Sequence, residues 1–326
     1  MHPVRNSKKG ALSIFARGVE DLMRYSNFTE VIEEAMKRRP IRMSVAAAQD
    51  LAVLEAVKGA AGLGIIEPIL IGDSSQIVQL AGLMDFPLKQ TEVIHALTEE
   101  EAAFKAAKIA SDGGSQAIMK GQVNSTHFLK GVLHKELDLK IGRIFSHLSA
   151  FEIPGTESLL FMTDGGINIA PDFNQKKQIV LNAIEFLSQI GMDSPRTAIL
   201  AANELVMDAM PVTCEATRLV KEIKAMADIP IEGPLPLDLA ISKESLQHKG
   251  IDSELDGKAD LLIVPTIEAG NIFGKAITYY AHGTMAGIVL GAKVPLVLNS
   301  RSDSAKAKLA SIALAVVAAS NAAIPV

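Results

Sequence analysis

The chain has 326 residues, room for two hydrophobic cores, and a formal charge of -5 from 32 basic and 37 acidic side chains, a balance that offers no electrostatic footing for nucleic acid. Hydrophobic residues make up 48 % and aromatic residues 4 %, with no Trp, so Ala, Ile, Leu and Val must carry the packing. The lone Cys214 excludes an intrachain disulfide and a thiolate metal cluster, and the longest apolar tract, 309–319, is too short to span a membrane.

His2, Arg5, Lys8 and Lys9 are followed by no apolar core of signal-peptide length, so a cytoplasmic location is expected. Residues 41–46 read as a buried strand. Residues 49–61 follow with helical spacing through Leu51, Leu54 and Val57, Gly62 and Gly64 supply a stop, and 65–71 reads as the next strand. Strand, helix, strand at this spacing is the grammar of a parallel α/β layer. A helix over 99–110 and a strand over 117–120 continue it, with Asp112, Gly113 and Gly114 as the turn between them.

Composition changes after Arg143: 146–151 precedes a Pro154-Gly155 turn and the apolar segment 158–162. Pro171 and Asp172 introduce an amphipathic helix on which Ile179, Ala183, Phe186, Leu187 and Ile190 recur, and Gly191 can close it. The pattern repeats with a strand over 197–201, a helix over 215–227 and a strand over 261–264, and 294–298 leads through 299–304 into the last helix. Parallel strands need helical crossovers, so both halves predict α/β architecture and not an all-β sandwich.

The most informative segment is 294–304, where an apolar strand ends abruptly in Asn299, Ser300, Arg301, Ser302, Asp303 and Ser304. Strand ends in open α/β sheets face the ligand crevice, helix-start N–H groups can hold phosphate oxygens, and Arg301 can donate two parallel charge-assisted bonds. The plainer alternative makes Ser302 or Ser304 the helix cap and Arg301 a surface ion-pair partner. A second candidate runs from Gly113-Gly114 through Lys120-Gly121 to Asn124, Ser125, Thr126 and Lys130, against the alternative of a tight turn and a solvated helix start. Asp164-Gly165-Gly166 has the same two readings. At 265–275, Glu268 could be an acid or base, Gly270 permits a close turn, and Asn271 either orients a substrate oxygen or caps the next helix. Residues 233–238, with Pro234 and Pro236, read as a rigid loop for interdomain packing.

Several chemistries find no pattern here. There is no G-x-G-x-x-G, no G-x-x-x-x-G-K-[ST], no H-E-x-x-H and no G-x-S-x-G. His127, His134 and His147 read as ordinary polar or partly buried positions, and Cys214 as a packing residue.

Taken together, the Ser300-Arg301 corner, P-T-I-E-A-G-N at 265–271, G-P-L-P-L-D-L-A at 233–240, M-K-G-Q-V at 119–123, S-H-L-S-A-F-E-I-P-G at 146–155 and T-D-G-G-I-N-I-A-P at 163–171 resemble the phosphate acetyltransferase and phosphate butyryltransferase family. The segments I-E-A-G-N-I-F-G-K-A, A-G-I-V-L-G-A-K-V-P and S-R-S-D-S are closest to the butyryltransferase branch. The resemblance covers roughly 41–319 in one common order.

It implies a two-domain isocitrate/isopropylmalate-dehydrogenase-like α/β architecture with an interdomain active-site cleft. One domain would be 1–146 plus 291–326 and the other 147–290. It implies reversible transfer of a short-chain acyl group, butyryl in preference to acetyl, between coenzyme A and inorganic phosphate through acyl phosphate. No metal or redox cofactor is expected; coenzyme A and acyl-CoA are substrates, and members assemble as homodimers or higher homo-oligomers. Carried over residue by residue, Ser300 contacts CoA or its leaving sulfur and Arg301 orients the acyl or phosphoryl group. Lys130 stands near the place where acetyltransferases use an arginine for phosphate, and Gly270 and Asn271 match a cleft motif, with Asn124, Ser125 and Thr126 beside the substrate. The acetyltransferase aspartate that follows Ser-Arg is missing, because 305–307 reads Ala-Lys-Ala; Asp303 is the replacement candidate or else a helix cap. The competing expectations are a metal- and NAD-dependent 2-hydroxy acid dehydrogenase and a non-catalytic CoA-binding regulator.

Overall fold

The computed structural model describes residues 24–321. Helix α1 (Phe28–Met36) leads into an alternating run: β1 (Ile41–Ala46), α2 (Leu51–Gly62), β2 (Ile66–Gly72), α3 (Ser74–Leu83), β3 (Glu92–His95), α4 (Glu99–Ser111), β4 (Ala117–Lys120) and α5 (Ser125–Val132). Asp50, Asp73, Thr98 and Asn124 start α2 to α5, each side chain accepting a bond from a first-turn N–H. Two antiparallel strands follow, β5 (Ser146–Glu152) and β6 (Leu160–Thr163). Then come α6 (Phe173–Gln189), β7 (Thr197–Leu200), α7 (Pro211–Lys224), β8 (Ile231–Leu235), the short α8 (Leu237–Ile241) and α9 (Lys243–Lys249), β9 (Leu261–Ile263) and α10 (Ile267–Tyr279). The last strands are β10 (Thr284–Leu290) and β11 (Leu296–Val297), ahead of α11 (Ala305–Asn321).

All eleven strands form one sheet in the order β3-β2-β1-β4-β11-β10-β5-β6-β9-β7-β8. Both wings are parallel, as the strand–helix–strand spacing predicts. The centre is not: β11–β10, β10–β5 and β5–β6 pair antiparallel. The turn at Pro154-Gly155 and the short link between β10 and β11 leave no room for a helical crossover, so these strands return as hairpins. The expected boundary at 146/147 falls at the first residue of β5, and that at 290/291 at the last residue of β10. Beyond it, β11 lies beside β4, and α11 packs on α1 and α2.

Two local expectations need correction. The segment around Gly233-Pro234 is not a loop but the outermost strand β8, where a proline lacking its N–H costs no ladder bond on the open side. Helix α7 begins at Pro211, before the expected 215, because Pro at a first helical position is preorganised for it. By contrast, α6 starts at the foreseen place: Asp172 and Gln175 form a reciprocal capping box, and Gly191 follows the helix with φ +92°.

α11 is apolar nearly all round and is correspondingly buried, including Lys308 and Ser311. Across the sheet, Asp260 is 2 % exposed at the foot of β9, where Arg24 and Arg196 converge on its carboxylate. No described helix is long and apolar enough to cross a membrane.

Candidate active site

Strands β1, β4 and β11 run parallel side by side, so their C-terminal ends meet in one place. Strand order also reverses there, β2 lying on one side of β1 and β4 on the other, which makes it a crevice for ligands in open α/β sheets. The chain leaving β4 crosses the end of β1 in contact: the N–H groups of Gly121 and Gln122 donate to the carbonyls of Ala46 and Ala47, both at 2.8 Å. A Cβ on Gly121 would lie 2.2 Å from the Ala47 oxygen, so only glycine fits this crossing.

The β11 end forms a tight corner. Asp303 Oδ2 accepts from the Ser300 backbone N–H at 2.8 Å and from Asn299 Nδ2 at 3.3 Å. Lys308, buried on α11, reaches back to donate to the backbone carbonyls of Ser300 and Asp303. The Ser300 and Ser302 hydroxyls meet at 2.9 Å. Ser304 Oγ accepts from the Ala307 N–H, so Ser304 caps α11 and Asp303 does not. Arg301 stands exposed at the tip of the turn, with no ion pair or hydrogen bond among the described residues.

Lys120, the last residue of β4, completes the cluster at 3 % exposure. Its Nζ donates to the Val123 carbonyl at 3.0 Å and to that of Gly121 at 3.3 Å. Burial, then the charges of Arg301 and Lys308, push its pKa down to about 8, against the pull of Asp303 and Glu99. Lys308 is likewise lowered, first by burial, with Asp303 and Asp50 opposing. The corner therefore gathers three cations, on a chain of net negative charge, around one carboxylate already engaged in a turn.

A second group of residues reaches this corner through His147. The ring is buried, its Nδ1 3.3 Å from Ser149 Oγ, and it makes a backbone hydrogen bond to Leu298; burial lowers its pKa, opposed by Asp164, the Leu298 bond and Asp303. A Cβ on Gly166 would come within 3.0 Å of that ring. Asp164 holds the loop, accepting from the backbone of His147, Gly166 and Ile167 and from Asn168 Nδ2. Gly165 meets the first turn of α10: a Cβ on Gly270 would lie 2.7 Å from Gly165 Cα.

The structure thus brings Ser300, Arg301 and Asp303 into one turn and places Gly270 at the loop contact, joined to the corner through Gly165, Gly166 and His147. Asn271 is exposed on α10 and does not cap it; Thr266 does, accepting from the Ala269 N–H. Asn124 caps α5, accepting from Thr126 at 2.7 Å and donating its own N–H to Glu99. Ser125 and Thr126 are exposed in that first turn, and Lys130 is exposed near its far end, without a polar partner among the described residues. Glu268 is exposed in the first turn of α10, and bonds to its own backbone and Thr266 hold its carboxyl low. Residues the sequence did not single out are Asn299, Lys308 and, as a cleft residue, His147. His127 pairs instead with Glu100 at 3.0 Å, and His134 stacks edge-on against Phe104.

The family model described as Phosphate acetyl/butaryl transferase matches residues 89–316. A phosphate butyryltransferase from Clostridium acetobutylicum is 38 % identical over 300 residues, 90 % of this chain and 99 % of that one. A phosphate acetyltransferase from Rhizobium meliloti is 37 % identical over 292 residues, covering 89 % and 92 % respectively. Among solved structures, a branched-chain phosphotransacylase from Enterococcus faecalis V583 superposes with a TM-score of 0.78 at 31 % identity, over 86 % of this chain and 99 % of that one.

Proposed function

Because the chain belongs to the Phosphate acetyl/butaryl transferase family, we propose that it catalyses reversible acyl transfer between coenzyme A and inorganic phosphate, with butyryl-CoA plus phosphate giving butyryl phosphate plus CoA. The observation that carries this reading is the cationic corner at the joined ends of β4 and β11, where Arg301 presents a guanidinium with no partner among the described residues. Phosphate and the CoA diphosphate are both anionic, and the oxygen of an attacked thioester becomes so. Arg301 orients the acyl and phosphoryl groups and supports that oxyanion; Ser300 donates toward the sulfur. The reaction changes no oxidation state and so needs no redox cofactor, and the proposed scheme draws its proton donors and cations from side chains. In this reading the cleft lies between the domain that holds β1 to β4 and β11 and the one that holds β5 to β10.

Lys130 is assigned to phosphate, with Asn124, Ser125 and Thr126 at the start of the same helix, whose last turn carries Lys130, and Gly270 and Asn271 on the facing wall. Lys130→Ala is expected to raise the phosphate KM about 5- to 10-fold with kcat little changed, the loss of roughly one charge-assisted bond at an exposed site. An unchanged phosphate dependence removes Lys130 from the site. Asp303 is assigned to holding the Ser300 turn, because Oδ2 already takes two N–H donors. Asp303→Asn keeps an acceptor oxygen there, so the pH profile of turnover between about pH 6 and 9 is expected to keep its limb, displaced to lower pH because the Asp303 charge that raises the Lys120 pKa is gone. Loss of a limb of that profile would make Asp303 the proton acceptor instead.

Butyryl is the preferred acyl group in this reading, alongside other short and branched chains. One methylene in an apolar pocket discriminates by only about 1–3 kcal/mol. Rates with acetyl-, propionyl-, butyryl- and isobutyryl-CoA test the preference, and acetyl-CoA turned over fastest would place the chain with the acetyltransferases. A homodimer or higher homo-oligomer is the proposed assembly; Ile272, Tyr279 and Tyr280 on and just after α10 are apolar area that self-association would cover.

A further inference from the structure

Lys120 is an ammonium group buried without a carboxylate. Among the described residues it forms no ion pair, and only two backbone carbonyls satisfy its three N–H donors. A buried charge is ordinarily paired, so the position calls for an anion or a proton acceptor from outside the chain. Its place in the sheet says which. Met119 is in register with Val297, and one residue further on Lys120 comes level with Leu298, two residues before Ser300. Beside it Asn299, 3 % exposed, keeps Oδ1 buried with no partner among the described residues. Two adjacent strand ends therefore finish in buried polar side chains whose bonding capacity is not filled by the protein, against the strong tendency of buried polar groups to be paired.

We propose that Lys120 is the acid–base residue of the acyl transfer, giving its proton to the coenzyme A sulfur as the thioester breaks and taking the thiol proton in the reverse reaction. This rests on the acyl-transfer reading above. In the forward direction an oxygen of HPO4(2-) forms a bond to the acyl carbon, the C–S bond breaks, and its electron pair goes to sulfur. The ammonium of Lys120 protonates that sulfur. The proton that phosphate sheds on becoming an acyl phosphate dianion restores the ammonium, so the step balances with no further reactant.

The neighbours leave this role to Lys120. Arg301 carries a guanidinium, which donates hydrogen bonds but has no acceptor with which to take up a proton. Lys308 is held on the Ser300 and Asp303 carbonyls, Asp303 on the Ser300 and Asn299 N–H groups, and the His147 ring on Ser149 and Leu298. The charges that face Lys120 are Arg301 and Asp303 from the corner, Lys308 from α11 and Glu99 from α4. Their sum with burial, a pKa of about 8, lies in the range where thiols also titrate, a cysteine thiol having about 8.5, so the proton can pass either way at modest cost.

The test uses the intact protein. For the wild type, acyl-phosphate formation from butyryl-CoA and acylation of CoA by butyryl phosphate should both fall as pH rises through about 8, since the step begins and ends with the Lys120 ammonium in either direction. Lys120→Ala and Lys120→Met should each lose about 100-fold or more in kcat in both directions, with those limbs gone. Added methylamine or ethylamine should restore at least ~10-fold of the Lys120→Ala rate while leaving the wild type unaffected, which a lysine that only braces the 121–123 turn would not allow. Folded variants that keep both limbs, or a Lys120→Ala protein indifferent to amines, would overturn the assignment. Should neither variant fold, the wild-type profiles decide: a rate that does not fall through about pH 8 in both directions sinks it. A wild type with no phosphate-dependent turnover at all would instead count against the acyl-transfer reading itself.

Discussion

Replacing Arg301 with alanine is expected to lower acyl-transfer kcat by about 10²–10³-fold while leaving the protein as stable as the parent. Arg301 is exposed at the tip of the 300–303 turn and contributes no ion pair or hydrogen bond among the described residues, so nothing in the fold depends on it. The turn is held by others: Asp303 on the Ser300 and Asn299 donors, Lys308 on the carbonyls, and Ser304 on α11. In the proposed role Arg301 adds charge at the mouth of the crevice for an oxygen that turns negative only as phosphate attacks. A donor of that kind acts in the transition state, so kcat should fall more than KM rises. Steady-state kinetics beside a thermal unfolding curve check both halves. Near-normal turnover from a folded Arg301→Ala protein would show that the oxyanion is supported elsewhere.

Asp260→Ala should be the most damaging change outside the crevice, costing about 3 kcal/mol of stability. The carboxylate is 2 % exposed and accepts from Arg24 Nε at 2.8 Å and Nη2 at 3.1 Å, from the Arg196 backbone at 2.9 Å, and from the Arg196 guanidinium at 3.1 Å. Deleting it strands two guanidinium groups together. Their side chains keep 30 % and 20 % exposure, so water offsets part of the loss, and the lower end of the usual range applies. Burial pushes this carboxyl up, but the bonds from Arg24 and Arg196 outweigh it and hold the pKa below its ordinary 3.8. The group therefore contributes its stability in full above that value, and the contribution disappears as pH falls through the lowered one. Denaturant midpoints at neutral pH should separate Asp260→Ala from the parent, and the gap should close in strong acid. A neutral-pH difference under about 0.5 kcal/mol would leave the cluster without a stabilising role.

What could be read before the structure depended on how local the cause was. The bounds of β1 and β4 were legible because each is a short apolar run between polar breakers, and α6 because its cap and closing glycine lie within its own segment. The antiparallel centre was not. β10 follows α10 through an unremarkable turn, and only its pairing with β5 and β11 gives it a direction. β8 carries Gly233-Pro234, residues that mark a loop unless the strand is known to lie at an edge.

The site divides along the same line. Ser300, Arg301 and Asp303 stand in one contiguous corner after an apolar strand, a pattern visible without coordinates. Lys120 stood within the second candidate cluster, where a tight turn was an equally available reading. Its burial was not visible there, because β4 lies between β1 and β11, strands far from it in sequence. His147 looked like an ordinary polar residue because Gly166, Gly287 and Leu298 close around it only once β5, β10 and β11 are side by side. Asn124, Ser125 and Thr126 read equally as cap or ligand, and the Asn124 cap on Thr126 shows that the first role is filled.

The most direct test of the whole account is stoichiometry: butyryl-CoA is incubated with the purified protein, with and without inorganic phosphate, and free thiol and acyl phosphate are both quantified. The account predicts thiol release that depends on phosphate and matches acyl phosphate one for one, without added metal or nicotinamide cofactor. Thiol release that ignores phosphate, or the absence of acyl phosphate from a folded protein that still binds CoA, would contradict it.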